Sequence, residues 1–376
     1  MPKKIFYESA VHHFLLAADR LRRRLPADDA RRFAAWVRGL DLDHADGNVL
    51  RVRWSEPSAG EHLIPLSKAR FYSRGAVETK VENESLFDAE LRAAVEASAL
   101  PIARDADAAR KRSEESFHDD WAAHTDVTKI DVRRANEACT APEMRFIRAQ
   151  LGDLRGRRLL DIGCGLGEAS VYFAMEGADV TASDISSGML DATQRLAAAN
   201  GVNVATHLSA AEDLRFNAGE TFDIIYAGNI LHHVDIAQTL PRLCSVLAPD
   251  GIFVSWDPVA YNPVINVYRK MAHEVRTPDE HPLRKSDLDG MRRQFVTART
   301  TFFWLTTLLV FLWMAIVQRR DPNKERYWKT VIDEADRWAP LYRPLALIDR
   351  VLLAICPPLG YLCWNVVFIG RNPRRS

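Results

Sequence analysis

Residues 159–170 read LLDIGCGLGEAS. Leu159, Leu160, Asp161 and Ile162 make a short, mainly apolar run. Gly163, Gly165 and Gly167 follow, and Glu168 opens a helical segment. An apolar run that breaks into glycines and then a helix is how a parallel strand passes into its crossover helix. Glycines allow the backbone to come close to a ligand, and a helix N-terminus attracts negative charge. A dinucleotide loop of the nicotinamide type would carry its last small residue at position 168. Here Glu168 stands there and Gly167 comes one residue early. Asp161, two positions before the first glycine, has nothing to offer a pyrophosphate but suits a cationic amino group. Read alone, the loop also fits a simple tight turn.

The pattern continues outward from this loop. Strands are expected at Ala178–Ser183, Val202–Leu208, Phe222–Ala227 and Gly251–Trp256, with helical segments between them. Such alternation implies a parallel sheet with helices on both faces, and ligands at the carboxyl ends of its strands. Asp184 closes the second strand roughly 20 residues beyond Gly163, where a carboxylate accepts from ribose hydroxyls. It could equally cap the helix that starts near Ile185. Further along come Ser209–Leu214, then FDIIYAGNILHHV over 222–234, then a Pro249-Asp250-Gly251 turn into the fifth strand.

In this order and spacing, LLDIGCGLGEAS, ASDIS with Met189, AEDLRF, FDIIYAGNILHHV and LAPDGIFVSWDP resemble the class I S-adenosylmethionine (SAM)-dependent methyltransferases, especially the branch with ubiquinone- and menaquinone-biosynthesis enzymes. The resemblance covers about residues 140 to 258. It implies a Rossmann-like α/β sheet of seven strands in the order 3-2-1-4-5-7-6, and SAM as cofactor. It further implies that Gly163, Cys164, Gly165 and Gly167 pack against the methionine part, and that Asp161 holds the amino group. By the same resemblance Asp184 grips the ribose, Ile185 and Met189 lie beside adenine, Ala211 and Glu212 border its edge, and Asn229 stands near the methyl-donor end. Many relatives place Asp where this chain has Ala210, which puts a side-chain bond to the adenine amino group in doubt. His232 and His233 follow the fourth strand on the catalytic rim. Each is a candidate general base, since imidazole titrates near neutrality, and each is equally a candidate frame for the cofactor. His281 falls where relatives build substrate lids.

Near the C-terminus, residues 300–317 read TTFFWLTTLLVFLWMAIV, 18 residues without a charge and bracketed by arginines. The first part is expected to be strand six (Phe295–Phe303), followed by a helix. A simple membrane span conflicts with Trp364–Gly370, which resembles the last strand of the sheet and must return to it. A helix from about Trp304 to Val317 lying in the membrane interface satisfies both constraints, with Trp304, Leu308, Phe311, Leu312 and Trp313 offering apolar area. A fully buried helix or a greasy lid is the alternative.

Composition bounds the rest. The chain has 376 residues, with 50 Lys+Arg against 50 Asp+Glu and 47% apolar residues. No net field attracts nucleic acid. Five scattered cysteines suggest neither disulfides nor a metal site. The N-terminus carries no apolar leader core, so a cytoplasmic setting is expected, with peripheral contact at the inner membrane face as an option. Residues 1–103 read as an accessory α/β region, 104–130 as a charged linker or helix, and 131–376 as the methyltransferase domain with a hydrophobic helical insertion at about 258–340. The expected reaction is methyl transfer to a small, hydrophobic or lipid-like acceptor at oxygen or carbon. A non-catalytic membrane-associated SAM-binding module, or another nucleotide-cofactor enzyme on the same fold, are the rival readings.

Overall fold

The computed structural model describes residues 2–374 apart from 23–24, 26, 46–47, 70, 75–77, 82–84, 101–102, 218, 272–279, 322 and 324. The chain divides into two compact units, Met1–Arg112 and Ser113–Ser376. The division falls inside one helix, within the stretch expected to be a charged linker or helix.

In the first unit, helices α1 (Pro2–Arg22) and α2 (Ala27–Arg38) precede strands β1 (Asp41–Ala45), β2 (Val49–Trp54) and β3 (Gly60–Pro65). A hairpin of β4 (Phe71–Arg74) and β5 (Glu78–Val81) and helix α3 (Ser85–Ala97) complete it. Strands β1 to β3 form an antiparallel sheet in chain order. The period-2 alternation of Leu50, Val52 and Trp54 turns these three inward, where Phe14, Phe33, Trp36 and Phe87 meet them. Pro26 stands in the sequence between α1 and α2.

Helix α4 (Ala103–Ala123) leads into the second unit, followed by α5 (Val132–Glu137) and α6 (Pro142–Leu151). Then strands and helices alternate: β6 (Arg158–Ile162), α7 (Glu168–Met175), β7 (Asp179–Asp184), α8 (Ser187–Ala199), β8 (Ala205–Leu208), β9 (Phe222–Gly228), α9 (Ile236–Val246) and β10 (Leu247–Pro258). After α10 (Pro263–Met271) and α11 (Lys285–Arg293) comes β11 (Phe295–Phe303). The chain ends with α12 (Leu309–Leu312), α13 (Tyr327–Asp333), α14 (Ala335–Ile355) and β12 (Asn365–Pro373). Part of the expected insertion, 272–279, lies outside the described residues.

The seven strands order as β8-β7-β6-β9-β10-β12-β11. Numbered within the sheet, this is the expected 3-2-1-4-5-7-6. Strands β6 to β10 pair in parallel, while β12 runs antiparallel between β10 and β11. Helices cover both faces, and side chains such as Leu160, Ile225 and Phe253 on one, Leu159, Ile224 and Val254 on the other, are buried. That double burial explains why the strand sequences read as continuous apolar runs.

The uncharged run at 300–317 resolves into β11, a 3-10 turn (Thr306–Leu308), α12 and a π-turn (Trp313–Val317). Here the expected set of lipid-facing side chains needs correction. Trp304, Leu308 and Phe311 are buried in an aromatic cluster with Tyr327, Tyr342 and Trp364. Leu309, Trp313, Ile316 and Val317 are the exposed ones. Helix α14 packs on this segment and presents a second apolar stripe to solvent, formed by Leu341, Leu347, Ile348, Val351 and Ile355. Among the described residues, no helix is long and apolar enough to cross a membrane.

Candidate active site

The carboxyl ends of β6, β7 and β9 meet at one edge of the sheet, and the chemistry-bearing residues cluster there. After β6 the chain turns through Gly163, Gly165 and Gly167, at φ +66°, +55° and +88°. Their hydrogen bonds tie the turn to the neighbouring strand: Gly163 N and Cys164 N both donate to Ser183 O, at 2.8 and 3.1 Å. A Cβ on Gly163 would lie 2.7 Å from the Ile230 side chain. The loop after β9 is therefore seated directly on the glycine loop. Gly165 differs, since a Cβ there would meet nothing within 4 Å. Its backbone faces open space, the condition for a ligand to come against the chain.

Two acids flank that space. Asp161 is 1% exposed and its Oδ2 accepts from Ser170 Oγ at 2.5 Å. Burial pushes its carboxyl up to about 7; the Ser170 hydroxyl opposes this, and the nearby charges of Asp184 and Glu168 reinforce it. Asp184, also buried, accepts from Gly165 N through Oδ2 and from Ser186 N through Oδ1, both at 3.0 Å. Burial raises its carboxyl too, against the pull of those two N–H groups. The alternative reading of Asp184 as a helix cap does not hold. Ser186 is the cap of α8, its hydroxyl accepting from Met189 N at 3.0 Å.

Two buried carboxyls, both raised by burial, favour a positively charged ligand. An open backbone beside a carboxylate favours one that also carries hydroxyl groups. The ammonium, sulfonium and ribose of SAM offer these features, and a pyrophosphate does not.

The remaining expected cofactor residues are distributed around this core. The Cys164 side chain is buried beside Thr193 Oγ1, at 3.5 Å, and burial raises its thiol, so only its backbone can face a ligand. Ile185 is half-buried, whereas Met189 is fully buried in the core. Ala211 and Glu212 lie in a 3-10 turn after β8, and Glu212 accepts from Asp235 N at 3.4 Å. Asn229 is exposed at φ +59°, its N–H donating to Trp256 O at 2.7 Å.

His232 and His233 stand three and four residues after Asn229, their ring centroids 4.1 Å apart. His232 is 2% exposed, and its Nδ1 lies 3.0 Å from Asp257 Oδ1 at the end of β10. His233 Nδ1 lies 3.4 Å from Glu114 Oε1 on α4. His281 reaches the same place through its backbone, donating its N–H to His232 O at 2.8 Å.

Sequence reasoning missed what α4 does here. Asp119 Oδ1 accepts from Ser186 Oγ at 2.5 Å and Gly188 N at 3.1 Å, bracing the turn after Asp184. Arg326 lies 3.7 Å over the Trp121 ring, and Lys329 pairs with Glu168 at 3.1 Å. Within a charge-dense stretch the only available signal was the sequence Phe117-His118-Asp119-Asp120-Trp121, in which aromatics interrupt the charges. A surface cavity of about 560 Å³ lies between α4 and α8 and does not include the glycine loop.

Gly165→Val tests the loop. The valine would fill the open space and hold a β-branched residue at positive φ, a strain of about 1–2 kcal/mol. Calorimetry should find SAM binding lost, with only a modest fall in thermal stability. Normal SAM binding by this variant would reduce the loop to a turn.

A strand order of 3-2-1-4-5-7-6 with a glycine loop after its central strand defines the Rossmann-like methyltransferase fold. Residues 159–251 match the family model described as a methyltransferase domain. The chain is similar to the ubiquinone biosynthesis O-methyltransferase of Bordetella avium, with 32% identity over 163 residues, covering 40% of this chain and 66% of that one. It is also similar to the enzyme of the same name from Azorhizobium caulinodans, with 38% identity over 105 residues, covering 28% and 41%. A magnesium protoporphyrin IX methyltransferase from Synechocystis, solved with bound S-adenosylhomocysteine, overlaps loosely: 23% identity, 42% of this chain, 72% of the other, TM-score 0.34. The chain belongs to the class I SAM-dependent methyltransferase family. Its matches span from 41% to 66% of the length of these two curated relatives.

Proposed function

We propose that the protein transfers a methyl group from SAM to a hydroxyl-bearing or carbon-nucleophile acceptor that is small and hydrophobic or lipid-like. The observation that carries this reading is the open backbone of Gly165 between the buried carboxyls of Asp161 and Asp184. SAM, when bound, supplies an electrophilic methyl on a sulfonium. Asp161 would hold the amino group, and the Gly163–Gly167 backbone the methionine chain. Asp184 would hold the ribose hydroxyls, and Ile185 and the Ala211–Glu212 turn the adenine side. Asn229, His232 and His233, seated on the glycine loop through Ile230, would face the acceptor. Holding donor and acceptor in line and excluding water account for much of the rate in such a transfer. The histidine pair stands where the reacting group of the acceptor would lie. Among the rivals, a pyrophosphate-cofactor enzyme is disfavoured by the two acids. A binding-only module is distinguished by turnover: incubation with labelled SAM and a lipid extract should yield methylated product and S-adenosylhomocysteine. Binding without turnover across such extracts would favour the module.

The hydrophobic class of the acceptor is supported by the apolar surface of the C-terminal helices. The stripes on α12 and its π-turn (Leu309, Trp313, Ile316, Val317) and on α14 (Leu347, Val351, Ile355) stand beside Arg319, Arg343 and Arg350, all exposed. We infer that this surface rests in a membrane interface, each inserted side chain contributing about 1.5–3 kcal/mol at full burial. Replacing Leu347 and Val351 with Glu should abolish flotation with anionic liposomes and leave both the melting curve and SAM binding in place. A wild-type protein that never floats would end this reading.

A further inference from the structure

We propose that His232, His233 and Glu280 form a site for one divalent transition-metal ion at the acceptor end of the cofactor loop. Their ligand atoms lie within 4.8 Å of one another. His233 Nε2 and Glu280 Oε1 are 4.0 Å apart. Two ligands on a shared ion with bonds of about 2.0–2.1 Å stand roughly 3.3–3.5 Å apart in tetrahedral geometry. The three groups therefore need to close by about 1 Å. Two imidazoles and one carboxylate with open positions suit zinc, iron(II), cobalt(II) or manganese, and not calcium or magnesium, which prefer oxygen ligands.

What sets this cluster apart from a chance meeting of polar groups is the second layer behind it. A ligating histidine ordinarily gives its other ring nitrogen to a carboxylate, which fixes the tautomer and raises basicity at the metal side. His232 has that hydrogen bond, and His233 has a carboxylate at ion-pair distance. His232 Nδ1 faces Asp257 Oδ1 at 3.0 Å, inside the protein, where the two side chains are 2% and 0% exposed. His233 Nδ1 faces Glu114 Oε1 at 3.4 Å, and Glu114 is itself 7% exposed. Each carboxylate comes from a different element, Asp257 from β10 and Glu114 from α4, so the layer is built by the fold. The backbone bond from His281 N to His232 O fixes the third ligand's neighbour to the first ligand. Ile230, two residues before His232, packs on Gly163, which sets the cluster against the cofactor loop.

The site stands on this geometry alone; its use rests on the methyl-transfer reading. An acceptor hydroxyl bound to the ion would lose its proton to water near neutral pH, because the ion lowers its pKa. The resulting oxyanion attacks the methyl carbon, an O–C bond forms, and the C–S bond breaks with its electron pair returning to sulfur. The products are the methyl ether, neutral S-adenosylhomocysteine and one released proton. The histidines then act through the ion and not as free bases, and oxygen is favoured over carbon as the methylated atom.

The test is a cobalt(II) titration of the untagged, chelator-treated protein, followed by the visible absorption of histidine-bound cobalt. One ion per chain should bind at micromolar or tighter affinity. His233→Ala and Glu280→Gln should each weaken binding at least tenfold. Asp257→Asn should weaken it by 10- to 100-fold through the second layer. SAM calorimetry on Glu280→Gln should match wild type, which certifies the fold. A wild-type protein without saturable cobalt binding, or Glu280→Gln and His233→Ala variants that bind cobalt as wild type does, would overturn the site. Cobalt binding without SAM binding would leave the site standing and remove the methyl-transfer reading; SAM binding without cobalt binding would do the reverse.

Discussion

Asp184→Ala should weaken SAM binding by about 10- to 100-fold or more while leaving the fold in place. A hydrogen bond to a charged acceptor contributes about 1.5–3 kcal/mol, and each 1.4 kcal/mol is a factor of ten. The carboxylate also holds Gly165 N and Ser186 N, so alanine would loosen the loop as well as remove the proposed ribose acceptor. Asp184→Asn separates the two effects, since it keeps an acceptor for the loop and drops the charge. Stability should respond in the opposite sense to affinity. Burial raises the Asp184 carboxyl, and the Asp184 charge in turn helps raise the carboxyl of Asp161, so the unliganded protein carries an unfavourable charge there. Thermal melts of the variant without ligand should show little loss, or a gain, whereas the SAM-induced rise in melting temperature should shrink. Unchanged affinity by calorimetry would remove Asp184 from the cofactor site. A large loss of stability without ligand would make it a structural residue.

The part of the fold that could be read from sequence is the part whose physics is local. LLDI, ADVTAS and FDIIYA announce buried parallel strands because both faces are covered and most of their residues are apolar or small. The glycine loop and Asp184 stand at fixed offsets from those strands, so their meeting follows from the topology. The helical run after Phe303 was legible as apolar but not as to which side faces inward. Trp304, Leu308 and Phe311 are buried only because Tyr342 and Trp364, far along the chain, come back to meet them. The roles of Glu114, Asp119 and Asp257 were illegible for the same reason. Each acts on a residue that the sequence places well away from it, and a lone acid in a charged stretch looks like a solvated one. The histidine pair was visible as a motif, but not the carboxylates behind both rings.

Asp349→Ala should cost about 3–5 kcal/mol and disrupt the C-terminal helices, the largest structural effect expected of a single change here. Asp349 sits in α14 among apolar neighbours and is 6% exposed. In the structure its carboxylate gathers the turn after β11: Oδ1 accepts from Thr306 N at 2.6 Å and from the Thr306 hydroxyl, and Oδ2 from Leu305 N at 3.1 Å, Thr307 N at 3.3 Å and Thr307 Oγ1 at 2.8 Å. Trp304, at φ +68°, enters that turn in a conformation costly for a bulky residue. The turn therefore depends on α14 for its shape. Removing the carboxylate leaves several donors buried without acceptors, each costing about 1–3 kcal/mol. It also releases Trp304 and Leu308 from the aromatic cluster. Asp349→Asn retains one acceptor oxygen and should recover part of the loss. The check is a denaturant titration followed by tryptophan fluorescence, with SAM affinity measured in parallel. Stability within about 1 kcal/mol of wild type would show that the turn holds itself. If stability falls while SAM still binds, the helices that carry the apolar surface unfold separately from the cofactor site. Their exposed stripes would then belong to a module docked on the sheet, and not to its core.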